Sequence, residues 1–215
     1  MTNEVKFLIT TVIVTVGVLI GGAYYFTKSG PTTSGTVAMT DVLKDDMYSI
    51  GSPSAQIKIA EFADFQCPAC AASEPTLKEV LKEYGDKVYF EYHHFPLAIH
   101  NWSILAAEAA EAAGAQGKFQ EYHDVLFAKQ TEWSANKDAT TLFKQYAKDL
   151  GLDTTKFNDE LDKHTYKDKV LASYSHGSSL NVQSTPTFFV NGQKIEGGLR
   201  KEEWKTLLDA ELQKK

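Results

Sequence analysis

The chain has 215 residues, 43% hydrophobic and 12% aromatic, which is material for one ordinary domain with a buried core. Its formal net charge is −6 and no basic stripe is visible, which argues against DNA or RNA binding. It holds only two cysteines, three positions apart, in "FADFQCPAC".

Residues 7–26 read "FLITTVIVTVGVLIGGAYYF", uncharged over the roughly 20 residues that a helix needs to cross the hydrocarbon core. A single membrane-spanning anchor over residues 1–28 is predicted, with the N-terminus inside. Tyr24 and Tyr25 lie at the level of an aromatic belt, and Lys6 and Lys28 flank the span. A cleaved signal peptide is the alternative, since Gly21, Gly22 and Ala23 are small enough for a signal peptidase. The apolar run is longer than the usual signal-peptide core of roughly 7–15 residues, which favours the anchor. Residues 27–40, "TKSGPTTSGTVAMT", are small and polar, so a flexible linker is expected over 29–45 and a folded domain over 46–215.

"IKIAEF" (57–62) is a β-branched and aromatic run bounded by "GSPSA" ahead and the cysteines behind, which suits a buried strand. A helix from Pro68 to Tyr84 should follow, because Leu77, Val80, Leu81 and Tyr84 recur at helical spacing and Gly85 stands at the stop. "KVYFEYHHF" (87–95) reads as a second strand, so β-α-β implies a parallel pair with a crossover helix. Five helical patterns come next, "SILAAEAAEAAGAQ", "KFQEYHDVLFAKQ", "DATTLFKQYAKDLG", "TTKFNDELDKH" and "YKDKVLASYSHG", and they place an inserted helical block at about 99–178. "PTFFVNGQKIEGG" (186–198) is a hairpin with Asn191-Gly192 in a type I′ turn. A last amphipathic helix sets Trp204, Leu207, Leu208 and Leu212 on one face. The expected class is α/β, one sheet divided by a helical insertion.

Three ordinary roles compete for the cysteines. A zinc site needs about four ligands, and this pair would have to recruit two distant histidines. A structural disulfide closing so small a loop stabilises weakly. Two inert buried thiols are the third. The redox reading explains more of the neighbourhood. A helix starting at Pro68 sets Cys67 at its N-cap, where free amides and the positive helix end favour a thiolate, which is both nucleophile and leaving group. Cys70, one turn on, would resolve the mixed disulfide. Because a lowered pKa stabilises the reduced form, the disulfide form is oxidising; Ala69 brings no charge, so an oxidant of intermediate strength is expected. Glu61, at the end of the apolar strand, would be a half-buried carboxyl that takes the Cys70 proton. Asp64 fits loop capping better, Pro75 a plain helix kink. Pro186 marks a strand start and leaves the Thr185 main chain free to pair with an extended peptide, but its isomer is open.

Together "IGSPSAQIKIAEFADFQCPAC", "HHFPL" and "STPTFFVNG" resemble the DsbA-like and BdbD-like thiol-disulfide oxidoreductases of the thioredoxin superfamily over residues 47–212. The resemblance implies a thioredoxin fold with a helical insertion, Cys67 as solvent-facing nucleophile, Cys70 as resolving thiol and Glu61 as the carboxylate below them. It also implies a cis Pro186 packed against the pair, with Thr185, Pro68 and Ala69 meeting substrate. The strongest oxidants carry His where Ala69 stands. His93 and His94 are read as structural or surface residues. The implied activity is oxidation of thiols in exported proteins by a monomer tethered outside the cytoplasmic membrane. No cofactor or metal is expected, and a DsbB-, BdbC- or VKOR-like membrane quinone reductase would reoxidise the pair. A thiol reductase or isomerase, and a non-catalytic peptide-binding module, are the alternatives.

Overall fold

The computed structural model describes residues 36–214; the anchor predicted over 1–28 lies outside them. Among the described residues no helix is long and apolar enough to cross a membrane. The order is α1 (Met39–Val42), β1 (Tyr48–Ile50), β2 (Ile57–Ala63), α2 (Pro68–Tyr84), β3 (Val88–His94), α3 (Ser103–Gly114), α4 (Phe119–Ala128), α5 (Gln130–Trp133), α6 (Ala139–Asp149), α7 (Thr154–Asp162), α8 (Lys167–Ser179), β4 (Thr187–Val190), β5 (Gln193–Glu196) and α9 (Lys201–Gln213).

The strands form one sheet in the order β1-β3-β2-β4-β5. The β2–β3 pair is parallel and joined across α2 as the β-α-β pattern requires, while β1, β4 and β5 add antiparallel partners. At the hairpin tip Asn191 and Gly192 both have positive φ, 46° and 86°, as a type I′ turn demands. Five helices, α3, α4, α6, α7 and α8, with the single turn of α5, make up the block between β3 and β4.

Strand alternation divides the core in two. Ile57, Ile59 and Ala63 of β2 with Val88, Phe90 and Tyr92 of β3 share a cluster with Leu77 and Val80 of α2 and Trp204 and Leu208 of α9. Ala60 and Phe62 point the other way, onto Phe95, Phe189, Val182 and Val42. Glu61 shares its parity with Ile57, Ile59 and Ala63, so the strand's one carboxyl is aimed at the α2 side. Its neighbours in register are Tyr92 on β3 and Phe188 on β4.

The flexible linker expected through residue 45 ends sooner. Val37 N–H donates to Gly192 O at 2.9 Å, the His176 ring bonds Val42 O at 2.8 Å, and Val42 is fully buried. The physical reason is apolar spacing: Val37, Met39, Val42 and Leu43 cover the sheet face that carries Phe189, so this stretch has surface to bury after all. His93 and His94 are buried and structural: the His93 ring stacks on Phe62 at 4.4 Å, and His94 Nε2 pairs with Glu111 at 2.9 Å.

On that second face Gly177 of α8 leaves room for two aromatic rings. A Cβ there would lie 2.7 Å from both Phe62 and Phe95, whose side chains are buried and cannot swing aside. Gly177→Ala is therefore expected to destabilise the fold by about 1–3 kcal/mol, the cost of overpacking a tight core, in spite of alanine's better helix propensity. Urea unfolding checks it; an unchanged or raised midpoint contradicts this packing.

Candidate active site

The loop between β2 and α2 is held by its own aspartate. Asp64 is buried, and its carboxylate accepts the Gln66 N–H at 2.8 Å, the Leu97 N–H at 2.8 Å and a bond to His100 Nδ1 at 2.7 Å. The Asp64 carbonyl accepts the Cys67 N–H at 3.0 Å. Asp64 thus caps a loop. Two glutamines bind this loop to the helical insertion: Gln66 accepts from Trp102 N–H and donates to Ser134 O, and Gln130 Nε2 donates to Phe65 O at 2.7 Å and Cys67 O at 2.9 Å.

Cys67 is the N-cap of α2, with Pro68 in the first helical turn, where its missing N–H costs nothing. Both cysteines are free thiols. They differ in access: Cys67 is 7% exposed, next to the exposed Pro68 and Ala69, while Cys70 is 0% exposed. The predicted solvent-facing nucleophile is therefore a narrow window on the sulfur.

As a thiol, Cys67 Sγ donates to the Thr185 carbonyl at 3.4 Å. That carbonyl, expected to be free for a peptide, is taken in this state. The Cys67 pKa is lowered from 9.0 to about 5, first by a hydrogen bond from the Cys70 thiol. Burial opposes it, and the Thr185 side chain and the amides of Cys70 and Ala69 add to the lowering. The helix-end amides on which the sequence argument rested do contribute, behind the partner sulfur. Burial, followed by hydrogen bonding to Cys67, pushes the Cys70 thiol far up. The two sulfurs divide one proton unequally, and the reactive anion sits at the helix mouth.

Thr185-Pro186 is a cis bond, and both residues are buried, with Thr185 against Cys67. Glu61 is fully buried, not half-buried; burial and then the charge of Glu74 raise its pKa well above the carboxylate range, and its own charge in turn helps raise Cys70. A carboxyl held neutral beside a buried thiol can donate or, once emptied, accept a proton. The structure thus gathers Cys67, Cys70, Glu61, Thr185 and Pro186. Pro75 lies within α2 away from the sulfurs' end.

Sequence reasoning missed four groups: Gln130, which supports the Cys67 carbonyl; His100 on Asp64; and Glu74 and His123, whose carboxylate and ring nitrogen are 3.7 Å apart. None carries a local signal except Glu74, whose position seven residues after Cys67, on the helix it caps, could have marked it. Among the described residues no three His, Cys, Asp or Glu side chains are grouped to hold a metal ion.

The thioredoxin family model Thioredoxin_4 matches residues 43–210. BdbD from Bacillus subtilis, in its oxidised form, superposes with a TM-score of 0.71 at 25% identity, covering 86% of this chain and 100% of that one. The alpha-DsbA1 of Wolbachia pipientis gives 0.71 at 21% identity, covering 78% and 92%, and shares the fold. Among curated relatives, Na(+)/H(+) antiporter NhaA 3 of Salinispora tropica is 37% identical over 160 residues, 74% of this chain and 24% of its own length. The chain thus spans about a quarter of the length of that relative.

Proposed function

The chain belongs to the thioredoxin family, as a DsbA-like member of that superfamily, and from that premise we propose that it is a thiol-disulfide oxidoreductase working as a dithiol oxidase. The observation that carries the reading is the asymmetry of the pair, a Cys67 thiol lowered to about 5 at the helix mouth over a sealed Cys70 pushed far up. A substrate thiolate attacks Cys67 Sγ of the disulfide form, the Cys67–Cys70 bond breaks, and Cys70 leaves as a thiolate that takes a proton from Glu61. A second substrate thiolate then attacks the substrate sulfur of the mixed disulfide, Cys67 departs as a stable thiolate, and both electrons stay on the pair. Pro68, Ala69, Thr185 and cis Pro186 line the approach, and the Thr185 carbonyl, released when Cys67 is no longer a thiol, is an acceptor for a substrate amide.

The apolar run 7–26 supports a tether that holds this domain outside the cytoplasmic membrane, where exported thiols are the substrates and a quinone-linked membrane protein of the DsbB, BdbC or VKOR kind removes the electrons. Equilibration of the full chain with glutathione tests the direction. A potential well above the roughly −270 mV of thioredoxin is expected; a value near it makes the protein a reductase.

A further inference from the structure

Resolution of the mixed disulfide poses a proton problem that the dithiol reading leaves open. To reoxidise, Cys70 must lose its proton while its sulfur displaces the partner's thiolate from Cys67. A neutral Glu61 has no place for that proton until its own has left. The mouth above Cys67 is then filled by the disulfide-linked partner, so a route through it is closed.

We propose that Glu74 and His123 carry protons between Glu61 and a cleft at the side of the domain, away from the mouth where Cys67 meets its partner. This rests on the dithiol reading above and assigns the groups that complete its proton transfer. Glu61 and Tyr92 are register partners aimed at α2. Glu74, on α2 one turn beyond Cys70, lies close enough for its charge to act on both. Glu61 Oε1 and Oε2, Glu74 Oε1 and Tyr92 Oη have no hydrogen-bond partner among the described residues, so four buried polar atoms here are uncommitted to structure. His123 of α4 continues the series, its ring edge-to-face with Tyr92 at 5.0 Å, Nε2 3.7 Å from Glu74 and Nδ1 3.3 Å from Asp124. Asp124 is paired with the exposed Lys78. Beyond them opens a cleft of about 280 Å³, with Glu74, His123, Lys78, Ile50 and Phe90 in its walls.

Burial raises both carboxyls, and at Glu74 the charges of His123 and Lys78 oppose that rise while Asp124 adds to it, so Glu74 answers electrostatically to the groups at the cleft. In resolution Cys70 S–H gives its proton to a Glu61 whose own has passed to Glu74, and His123 hands that proton to solvent. The Cys67–Cys70 bond forms, the bond from Cys67 to the partner breaks, and the partner leaves with the electron pair as thiolate. In the substrate half-reaction the same groups refill Glu61.

The test follows two steps of the full-length dithiol protein with oxidised glutathione, attack by Cys67 and release of the second glutathione by Cys70. In Glu74→Gln the attack should keep its rate, while release slows roughly 10²-fold and its pH profile loses one ionisation, as when a positioned proton carrier is removed. Glu74→Asp should recover part of the rate, and His123→Gln should slow release with attack unchanged. Release at the wild-type rate with the wild-type profile in whichever variant folds overturns the relay. So does equal slowing of both steps, which reports a damaged dithiol. Absence of any exchange by the wild-type protein sinks the dithiol reading itself.

Discussion

Replacing Cys67 with serine is expected to reduce disulfide exchange to the uncatalysed background, while Cys70→Ser leaves the first attack intact and stalls the reaction at a covalent adduct. A serine hydroxyl at 67 forms no disulfide, and Cys70 cannot substitute for it: at 0% exposure, with burial pushing its thiol far up, it offers neither access nor thiolate. At position 70 the change is gentler for its neighbour. The leading cause of the low Cys67 pKa is a hydrogen bond from the Cys70 side chain, and a serine hydroxyl still donates one. The thiolate therefore persists and captures a substrate disulfide, but no second sulfur is present to release it. Non-reducing electrophoresis and intact mass of the Cys70→Ser protein with an oxidised model peptide should show a stable adduct, absent in Cys67→Ser. An adduct that resolves at the wild-type rate, or exchange that survives in Cys67→Ser, removes the assigned roles.

The positions behind those proposed roles were legible in the chain because they are fixed by near neighbours. Pro68 sets the helix start, so Cys67 must cap it and Cys70 must lie one turn further in; the parity of "IKIAEF" sets Glu61 on one face of a strand. The same local logic yields β2, α2, β3 and the Asn191-Gly192 turn. What failed was short or distant. α1 and β1 are four and three residues long, too few for either periodicity to register, and both exist because a sheet edge or face was there to cover. One helical pattern proved to be two, with α5 beginning at Gln130, the residue whose amide reaches the Cys67 carbonyl. Gln130, His123 and His100 sit 63, 56 and 33 residues beyond Cys67 on other elements, and only the packed fold brings them to the loop or to α2. The thiolate shows the same division. Its location followed from the helix end, but its leading stabiliser is the partner thiol, whose orientation no sequence pattern encodes.

The reduced protein should be stabilised by the Cys67 thiolate at neutral pH and lose that stabilisation in acid. The folded-state pKa is depressed, from 9.0 to about 5, so the contribution is complete above pH 9 and disappears as the pH falls through 5. At pH 7 two of those units are in force, worth about 3 kcal/mol, or about 60 mV of oxidising power on the two-electron scale. Cys70 leaves this window unchanged, since a raised thiol is protonated in folded and unfolded chains alike below pH 9. Glu61 runs the other way: the unfolded chain ionises it above about pH 4.5 while burial keeps it neutral in the fold, so it costs stability as the pH rises. Comparison of reduced wild type with Cys67→Ser cancels that opposing slope. The difference in their urea-unfolding free energies should widen by about 2–3 kcal/mol from pH 5 to pH 7, in favour of the wild type. Parallel curves would mean that the thiolate gains nothing from the fold, and with it would go the physical reason for calling the disulfide form an oxidant.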